Sequence, residues 1–261
     1  MKTVAYFVND EQALRSSFCI TDDFFHNEQI VVHADRNTTK KIFRNNRSFA
    51  VKSFQLANLA QRIGYVLFRK PKAERSLQNS LMLIKAGLHS PKPIGYIYKI
   101  KNFQVLESYY ISEFHEFEHD LLPVFEKFDE NADLLSAFIK TIIVMHDNNI
   151  YHHDLTKRNV LINSSTNPLF SFVDNNRITK ERMSLKKRME SISKLTNKES
   201  ELIYLAKCYS QHSTIPEKDC IKFILKGFSK SQRYKRIKRM LKYIKKAPST
   251  WRPFCTRGNL R

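Results

Sequence analysis

Hydrophobic and polar positions follow two different periods along the chain. In residues 49–54, alternation places Ala50 and Lys52 on one face of a strand and Val51 and Ser53 on the other. In residues 133–147, apolar side chains recur at the spacing of a largely buried helix. Residues before about 112 are predicted to be rich in strands with one helix, and residues from about 131 to be mainly helical with one hairpin. We therefore predict two lobes, residues 1–112 and residues 113–261.

A helix is predicted between Pro71 and Gly87, which are typical residues for a helix start and a helix end. Glu74 lies on the same face as the apolar stripe of this helix. The stripe consists of Leu77, Leu81 and Ile84. A buried carboxylate requires a cation, and Lys52 is the candidate. Two alternatives stay open: a Glu74 favoured only by the helix dipole, and a Lys52 that is merely a solvated strand residue.

A β-hairpin is predicted from two short apolar runs, residues 160–162 and 170–173. Residues 163–168 between them are turn formers. In an antiparallel pair, the residue before the first strand and the residue after the second lie at the same end. Asn159 and Asp174 are therefore expected to be neighbours.

This end of the hairpin offers the oxygen ligands of a magnesium site. Asn159 and Asp174 supply one amide and one carboxylate, and Mg²⁺ takes only one or two protein carboxylates besides water and nucleotide phosphates. Asp154 lies five residues before Asn159 and is placed to accept a proton from an attacking hydroxyl. The HxDxxxxN pattern is weak by itself. It becomes specific in combination with Lys52 and Glu74 upstream and Asp174 downstream.

The ordered set of these residues resembles the protein-kinase-like phosphotransferase fold over about residues 30–180. The resemblance implies an α+β bilobal fold, with an antiparallel sheet in the N-terminal lobe and a mainly helical C-terminal lobe. It also implies that ATP and Mg²⁺ are the cofactors. Lys52 would hold the α and β phosphates, and Glu74 would brace it. Asp154 would be the catalytic base, while Asn159 and Asp174 would hold Mg²⁺.

The same resemblance implies the contacts of the nucleotide base. Ala50 would pack against the adenine, and Leu161 would form the floor beneath it. The backbone that connects the two lobes would pass the base near Glu113 and His115.

Three features depart from the protein-kinase pattern. His153 stands where protein kinases place an arginine that binds a phosphorylated activation loop, and Asn175 and Asn176 stand where they have Phe-Gly. Control by loop phosphorylation is therefore not expected. No glycine occurs in residues 31–40, where a Gly-rich loop would cover the phosphates. Other backbone or side chains would replace it, with these candidates unranked: Arg36, Asn37, Thr38, Thr39 and Lys40.

A narrower resemblance is carried by residues 72–76, 90–96, 152–155 and 172–177. Together these segments resemble the lipopolysaccharide kinase family, which phosphorylates Kdo (3-deoxy-D-manno-octulosonic acid) or heptose of the lipopolysaccharide inner core. The resemblance implies ATP-dependent transfer to a sugar hydroxyl of a lipid A precursor, and Kdo is the acceptor that we expect. Two alternatives stay open: a protein kinase, and a pseudokinase that binds partners without catalysis.

Charge adds an expected partner. The chain has 45 Lys and Arg against 25 Asp and Glu, a formal net charge of +20. No acidic residue occurs in residues 221–261. An amphipathic helix is predicted over residues 229–246, with an apolar stripe of Tyr234, Ile237, Met240, Leu241 and Ile244. Such a helix can lie on the anionic surface of the inner membrane.

The basic and aromatic content of the chain also permits other interpretations. Residues 62–70, where aromatic and cationic residues are interleaved, are a second candidate membrane segment. Both segments could instead pack against the protein with a solvated basic face. Nucleic acid is not the expected partner, because no recognisable nucleic-acid module accompanies the charge.

The apolar segments and cysteines favour a cytoplasmic protein. Residues 4–8 are too short for a signal-peptide core, and the apolar run 134–145 is far below the ~20 residues that span a bilayer. The cysteines are scattered without a metal-binding pair, which predicts reduced thiols. They are Cys19, Cys208, Cys220 and Cys255. We therefore expect a cytoplasmic protein, peripheral on the inner membrane.

Overall fold

The computed structural model describes residues 1–8, 11, 13–19, 25, 30–34, 37–55, 70–163 and 167–246. Four regions with predicted roles lie outside them. These are Arg36, all of the segment 62–70 except Lys70, residues 164–166 of the predicted hairpin turn, and the end of the basic tail after Lys246.

An antiparallel sheet forms the first lobe. In the described part of the chain it has six strands in the order β1-β5-β6-β4-β3-β2. Their bounds are β1 Lys2–Phe7, β2 Val31–Ala34, β3 Thr38–Arg44, β4 Arg47–Ser53, β5 Pro93–Lys101 and β6 Gln104–Glu113. Helix α1 is Ala13–Cys19 and helix α2, between β4 and β5, is Lys72–Lys85. In β4, Phe49 and Val51 are buried in the lobe core, as alternation predicts.

Gly95 allows β1 and β5 to approach closely. A Cβ atom at this position would lie 2.5 Å from the carbonyl oxygen of Tyr6 and 3.0 Å from a ring carbon of Phe7. We expect Gly95→Ala to lower the free energy of unfolding by about 1–3 kcal/mol, because strand backbone must move to accept the methyl group. Urea denaturation measures this. Lys101→Ala, exposed at the end of β5, should stay within about 0.5 kcal/mol of the parent, and an equally small effect of Gly95→Ala would contradict the prediction.

The second lobe is mainly helical. Its helices are α3 Leu122–Glu126, α4 Ala132–Asp147, α5 Leu185–Ile192, α6 Glu199–Gln211 and α7 Glu217–Lys246. Its short strands are β7 His119–Asp120, β8 Ile150–His152, β9 Val160–Asn163, β10 Leu169–Phe172 and β11 Ile178–Lys180. The strands pair in the order β10-β9-β7 and as β11-β8. Helix α4 is buried in the core of this lobe, through Phe138, Ile139 and Ile142 among others. The predicted bilobal α+β fold is confirmed, while the exact boundary at residues 112 and 113 stays a prediction.

His146 makes the stability of the second lobe depend on pH. The ring is fully buried near the end of α4, with Tyr209 Oη 3.2 Å from Nδ1 and Ser191 Oγ 3.3 Å from Nε2. Burial and, to a lesser extent, the positive charge of the nearby Arg188 together lower its pKa from 6.5 to about 3. The unfolded chain therefore binds more protons in this range, so stability is lost as pH falls below about 6.5.

We expect the free energy of unfolding to decrease as the pH is lowered from about 6.5 to 4. His146 should contribute up to ~1.4 kcal/mol per pH unit to this decrease. His146→Gln should remove that part of the slope, even if the variant is less stable at neutral pH. Denaturation curves at several pH values measure both slopes. Equal slopes in the parent and the variant would show that this ring does not control the pH dependence.

Helix α2 has the predicted ends but not the predicted orientation. Pro71 caps its start, and Gly87 follows its end with a φ of 77°. The expected inward stripe is wrong for two of its three residues, because Leu77 is buried but Leu81 and Ile84 are 41% and 42% exposed. The buried face is instead Ala73, Ser76, Leu77, Ser80 and Leu83. Polar groups of the neighbouring elements bind the Ser80 hydroxyl, and the helix turns its serines rather than its most apolar residues toward them.

Helix α7 includes the predicted basic amphipathic helix as its second half. Its first half packs on the lobe, with Cys220 and Ile224 fully buried. Further along, Tyr234, Ile237 and Met240 are exposed. Over the described residues, no helix combines the length and the apolar character needed to cross a bilayer.

Candidate functional site

Lys52 and Asp174 form an ion pair between the two lobes. The Nζ of Lys52 on β4 donates to Oδ1 of Asp174 at 2.6 Å, with side chains 18% and 23% exposed. Asp174 follows β10 in the left-handed region at φ 58° and ψ 42°, which aspartate tolerates better than most residues. Asn176 Nδ2 donates to the same oxygen at 2.6 Å. In the described residues both bonds go to Oδ1, so Oδ2 is the atom that can bind another ligand.

Charge keeps the Asp174 carboxylate ionised. Burial, the largest single influence, raises its pKa. Lys52 opposes burial by charge and by its hydrogen bond, and Asn176 adds a second hydrogen bond. The net effect is a pKa below the ordinary value of 3.8. The group is therefore an anion at neutral pH, as a magnesium ligand must be.

Glu74 does not form the expected ion pair with Lys52. Its Oε1 lies 3.0 Å from Nζ of Lys70 and accepts from Nε2 of Gln78 at 3.2 Å. Glu74 and Lys52 are both described, and no ion pair joins them. The predicted pair is therefore wrong for this structure, because the orientation of α2 directs serines to the cleft and Asp174 binds Lys52. Glu74 lies in the first turn of α2, where the helix dipole favours a carboxylate, as the alternative interpretation held.

The predicted hairpin is formed, and its open end brings Asn159 and Asp174 together. Strands β9 and β10 pair antiparallel, with Phe172 opposite Val160. The next residue, Val173, donates its N–H to the carbonyl oxygen of Asn159 at 3.0 Å. Asp174 therefore follows directly after a residue that is bonded to Asn159.

The main chain of Asp154 is held by the side chains of Asn159 and His152. Asn159 Nδ2 donates to the carbonyl oxygen of Asp154 at 2.8 Å, which leaves the amide oxygen of Asn159 as its ligating atom. The N–H of Asp154 donates to Nδ1 of His152 at 3.2 Å. The carboxylate accepts from Nη1 of Arg177 through Oδ2 at 3.3 Å. The loop geometry thus depends on the backbone of Asp154, while its carboxylate carries the exposed ion pair with Arg177.

His152 supports Asp154 as a neutral ring. Burial lowers its pKa from 6.5 to about 4, although the negative charges of Asp154 and Asp174 act in the opposite direction. The neutral ring can accept the Asp154 N–H at Nδ1 when its proton is on Nε2. The first histidine of the HxD pattern therefore positions the loop and carries no charge at neutral pH.

A cleft of about 960 Å³ contains the predicted chemistry-bearing residues. Four of them line it together: Lys52, Asp154, Asn159 and Asp174. The residues expected around the nucleotide base line the same cleft: Ala50, Leu161, Glu113 and His115. Glu74 is not among the described residues that line it. The roles of these side chains toward a nucleotide stay predictions, but the required proximity is present.

The lobe connection is fixed by a charge network. Arg47 donates to Glu113 Oε1 at 2.5 Å and to both carboxylate oxygens of Glu11, at 2.7 and 3.0 Å. Lys92 lies 3.1 Å from Glu11 and 3.7 Å from Glu113. The hydrogen bond from Arg47 is the largest influence on the pKa of the buried Glu11, which is lowered. The Glu113 carboxylate is thus neutralised within the protein, while its backbone passes along the cleft.

Sequence reasoning missed a polar cluster at the rear of the cleft. Nδ2 of the buried Asn175 lies 3.0 Å from Ser80 Oγ, Ser90 Oγ and the carbonyl oxygen of Phe172. Tyr110 Oη donates to Ser80 Oγ at 3.1 Å. Asn175 therefore joins α2 to the hairpin by polar contacts. The signal in the sequence is the pair Ser76 and Ser80, one helical turn apart, opposite an asparagine where protein kinases have phenylalanine.

The donor set at the hairpin end fits Mg²⁺. Oδ2 of Asp174 and Oδ1 of Asn159 are hard oxygen atoms, and phosphate and water oxygens complete the octahedron around this ion in nucleotide sites. Lys52 is bonded to Asp174, so its ammonium group lies close enough to this site to bind a phosphate group held there.

Comparisons with known proteins bear on the fold. No protein family and no curated protein matches the sequence. The solved structure of WaaP in complex with acyl carrier protein is similar with a TM-score of 0.59 and 15% identity, over 90% of this chain and 98% of that chain. A Stt7 homologue from Micromonas algae, soaked with ATP, has a TM-score of 0.43 and 8% identity, over 59% of this chain and 49% of that chain. The chain has a protein-kinase-like fold.

Proposed function

We propose that the protein is an ATP- and Mg²⁺-dependent kinase that phosphorylates a sugar hydroxyl of the lipopolysaccharide inner core, with Kdo as the acceptor. The observation that carries the proposal is the convergence of Lys52, Asp154, Asn159 and Asp174 on one cleft. The resemblance of four sequence segments to the lipopolysaccharide kinase family supports the acceptor class. The likeness in fold to WaaP over 90% of the chain supports it too.

In this mechanism the side chains position the reactants and stabilise charge. When ATP binds, the ammonium group of Lys52 binds the α and β phosphates, and its hydrogen bond to Asp174 weakens. Asn159 and Asp174 would hold Mg²⁺, which supplies neutralisation of the phosphate charge when bound. Asp154 orients the sugar hydroxyl and accepts its proton as the hydroxyl oxygen bonds to the γ-phosphorus. The bond from the γ-phosphorus to the β-phosphate oxygen breaks, and its electron pair leaves with ADP.

The other end of the cleft would bind the nucleotide base. Ala50 and Leu161 enclose it from the two lobes, and the connection at Glu113 and His115 passes its edge. The charge network around Glu113 keeps this connection in place. Glu74 is left out of phosphate binding in the described conformation, because it is bonded to Lys70.

Phosphate transfer to a Kdo-bearing lipid A precursor tests the proposal. The full chain, labelled ATP and Mg²⁺ should give labelled lipid, and Asp174→Ala should abolish the label. Mass spectrometry of the lipid should show a gain of ~80 mass units, one phosphoryl group. Label on protein alone would favour the protein kinase. Failure to bind Mg-ATP would favour the non-catalytic pseudokinase.

We place the enzyme at the cytoplasmic face of the inner membrane, bound through α7. Tyr234, Ile237 and Met240 are 67%, 45% and 58% exposed, and the neighbouring Arg233 and Arg236 are exposed cations. Each basic residue near an anionic surface contributes ~1 kcal/mol. We expect the chain to sediment with phosphatidylglycerol vesicles and not with phosphatidylcholine vesicles, less at high salt. Replacing the three apolar residues by serine should weaken this binding about tenfold or more.

A matched control uses an exposed aromatic residue elsewhere. Phe103 lies in the β5–β6 turn and is exposed, and Phe103→Ser should leave vesicle binding unchanged. Equal sedimentation of the parent and the triple serine variant would remove α7 from the membrane contact.

A further inference from the structure

The carboxylate proposed to receive the hydroxyl proton is already paired with an arginine. Nη1 of Arg177 lies 3.3 Å from Oδ2 of Asp154, and the side chains are 50% and 34% exposed. The main chain of Arg177 is fixed beside the same loop, because its carbonyl oxygen accepts from the His153 N–H at 3.0 Å. An ion pair with this exposure is weak, so a ligand anion can replace Asp154 as the partner of the guanidinium.

Arg177 approaches Asp154 from outside the nucleotide cleft. Asp154 lines the cleft, whereas Arg177 is not among the described residues that do. Among the described residues, the Lys and Arg side chains that line the cleft are Lys52, which binds Asp174, and Arg158. Arg177 is therefore placed for the molecule that presents the hydroxyl, on the other side of the catalytic carboxylate.

A second cation adds to the charge on this side. Nζ of Lys194 donates to Tyr151 Oη at 2.8 Å and to the carbonyl oxygen of His153 at 3.3 Å. Both partners are neutral, so the charge of Lys194 is not cancelled by them. Lys187, the next cation in this region, is paired with Glu181. Arg177 and Lys194 thus both contact the main chain of His153. Two carboxylates lie nearby: Asp154 is paired with Arg177, and Glu181, 3.9 Å from the His153 ring, is paired with Lys187.

We propose that Arg177, assisted by Lys194, binds an anionic group of the acceptor next to the hydroxyl that is phosphorylated. This inference rests on the proposed function and adds a specificity-determining residue to it. The shared chemistry of the group is a carboxylate or phosphate oxygen pair, which a guanidinium binds in bidentate fashion. Kdo supplies a carboxylate, and a phosphorylated sugar would supply a phosphate. When the acceptor binds Arg177, the Asp154 carboxylate is released to orient the hydroxyl and accept its proton.

Calorimetric titrations of the full chain, saturated with ADP and Mg²⁺, test the inference with three probes. The probes are Kdo, the neutral methyl ester of Kdo, and glucosamine 1-phosphate. We expect an anionic probe to bind about 10- to 100-fold tighter than the ester, as a charge-assisted hydrogen bond predicts. Arg177→Gln should reduce this ratio to near one, and Arg177→Lys should restore part of it. Lys180→Gln, which removes another exposed cation three residues away, should leave it unchanged.

The probe whose affinity falls in Arg177→Gln identifies the anionic group. A loss of Kdo binding indicates a carboxylate, and a loss of glucosamine 1-phosphate binding indicates a phosphate. The variant Asp154→Asn distinguishes a binding role of Arg177 from a purely structural one. Without its competitor, Arg177 should bind the anion more tightly, so the ratio of acid to ester affinity should rise. An unchanged ratio in Arg177→Gln, or equal binding of acid and ester by the parent, overturns the inference.

Failure of the inference is distinct from failure of the proposed function. If the chain binds ADP with Mg²⁺ and none of the three probes, the acceptor site proposed at Arg177 is wrong and the nucleotide site stands. If the anionic probes bind through Arg177 while labelled ATP gives no phosphorylated lipid, the inference stands and the proposed kinase function is wrong.

Discussion

We expect Asp154→Asn to lower phosphoryl transfer by about 10²- to 10⁴-fold, the usual contribution of a positioned general base, with little change in the affinity for Mg-ATP. The substitution keeps the size of the side chain. It also keeps both bonds that build the loop, since the N–H to His152 and the carbonyl oxygen to Asn159 belong to the main chain. The substitution removes the carboxylate and, with it, the exposed ion pair to Arg177. A large loss of kcat with an unchanged fold therefore reports on the chemistry alone.

The matched control is Asp129→Asn, which removes an exposed carboxylate of the second lobe and should leave transfer unchanged. Circular dichroism and the midpoint of thermal unfolding show whether each variant is folded. Full activity in Asp154→Asn would exclude Asp154 as the base and would leave the HxDxxxxN pattern without its proposed role.

Breaking the Lys52–Asp174 pair should abolish transfer and destabilise the protein. Lys52→Met leaves a largely buried carboxylate without its cation, and Asp174→Asn leaves the amine without its anion. We expect each single variant to lose about 1–3 kcal/mol of unfolding free energy, because an unpaired charge remains buried. The double variant should regain part of that loss. Transfer should fall by at least ~10² in all three, since phosphate and metal contacts are removed.

Urea denaturation of the four proteins gives the coupling energy of the pair. The control is Lys127→Met, which removes an exposed ion pair to Glu130 and should change stability by less than about 1 kcal/mol. Strictly additive losses in the double variant would show that Lys52 and Asp174 do not interact in solution.

Sequence patterns predicted the parts of the site that depend on local rules. Alternation in β4 placed Ala50 and Lys52 on the cleft face, because a strand allows only two orientations. Turn formers between two apolar runs predicted the hairpin, and antiparallel pairing then brought Asn159 and Asp174 together. These inferences need no knowledge of distant residues.

The orientation of α2 could not be predicted in the same way. Hydrophobicity favours Leu81 and Ile84 as the inward side, whereas the structure buries Ser76 and Ser80. The reason is tertiary: Tyr110 and Asn175 place polar groups against this helix, and serine hydroxyls satisfy them. The partner of Lys52 was predicted wrongly as well: Lys52 pairs with Asp174 across the lobes, while Glu74 pairs with Lys70 on its own helix side.

The most direct test of the site is the affinity for ATP with and without Mg²⁺. Calorimetry on the parent chain should show binding at least ~10-fold tighter in Mg²⁺ than in EDTA, because Asn159 and Asp174 bind the nucleotide through the cation. In the variant Asn159→Ala/Asp174→Asn this dependence on Mg²⁺ should disappear. Equal ATP affinity in both buffers for the parent, or an undiminished Mg²⁺ dependence in the variant, would contradict a phosphoryl-transfer site at the end of the hairpin.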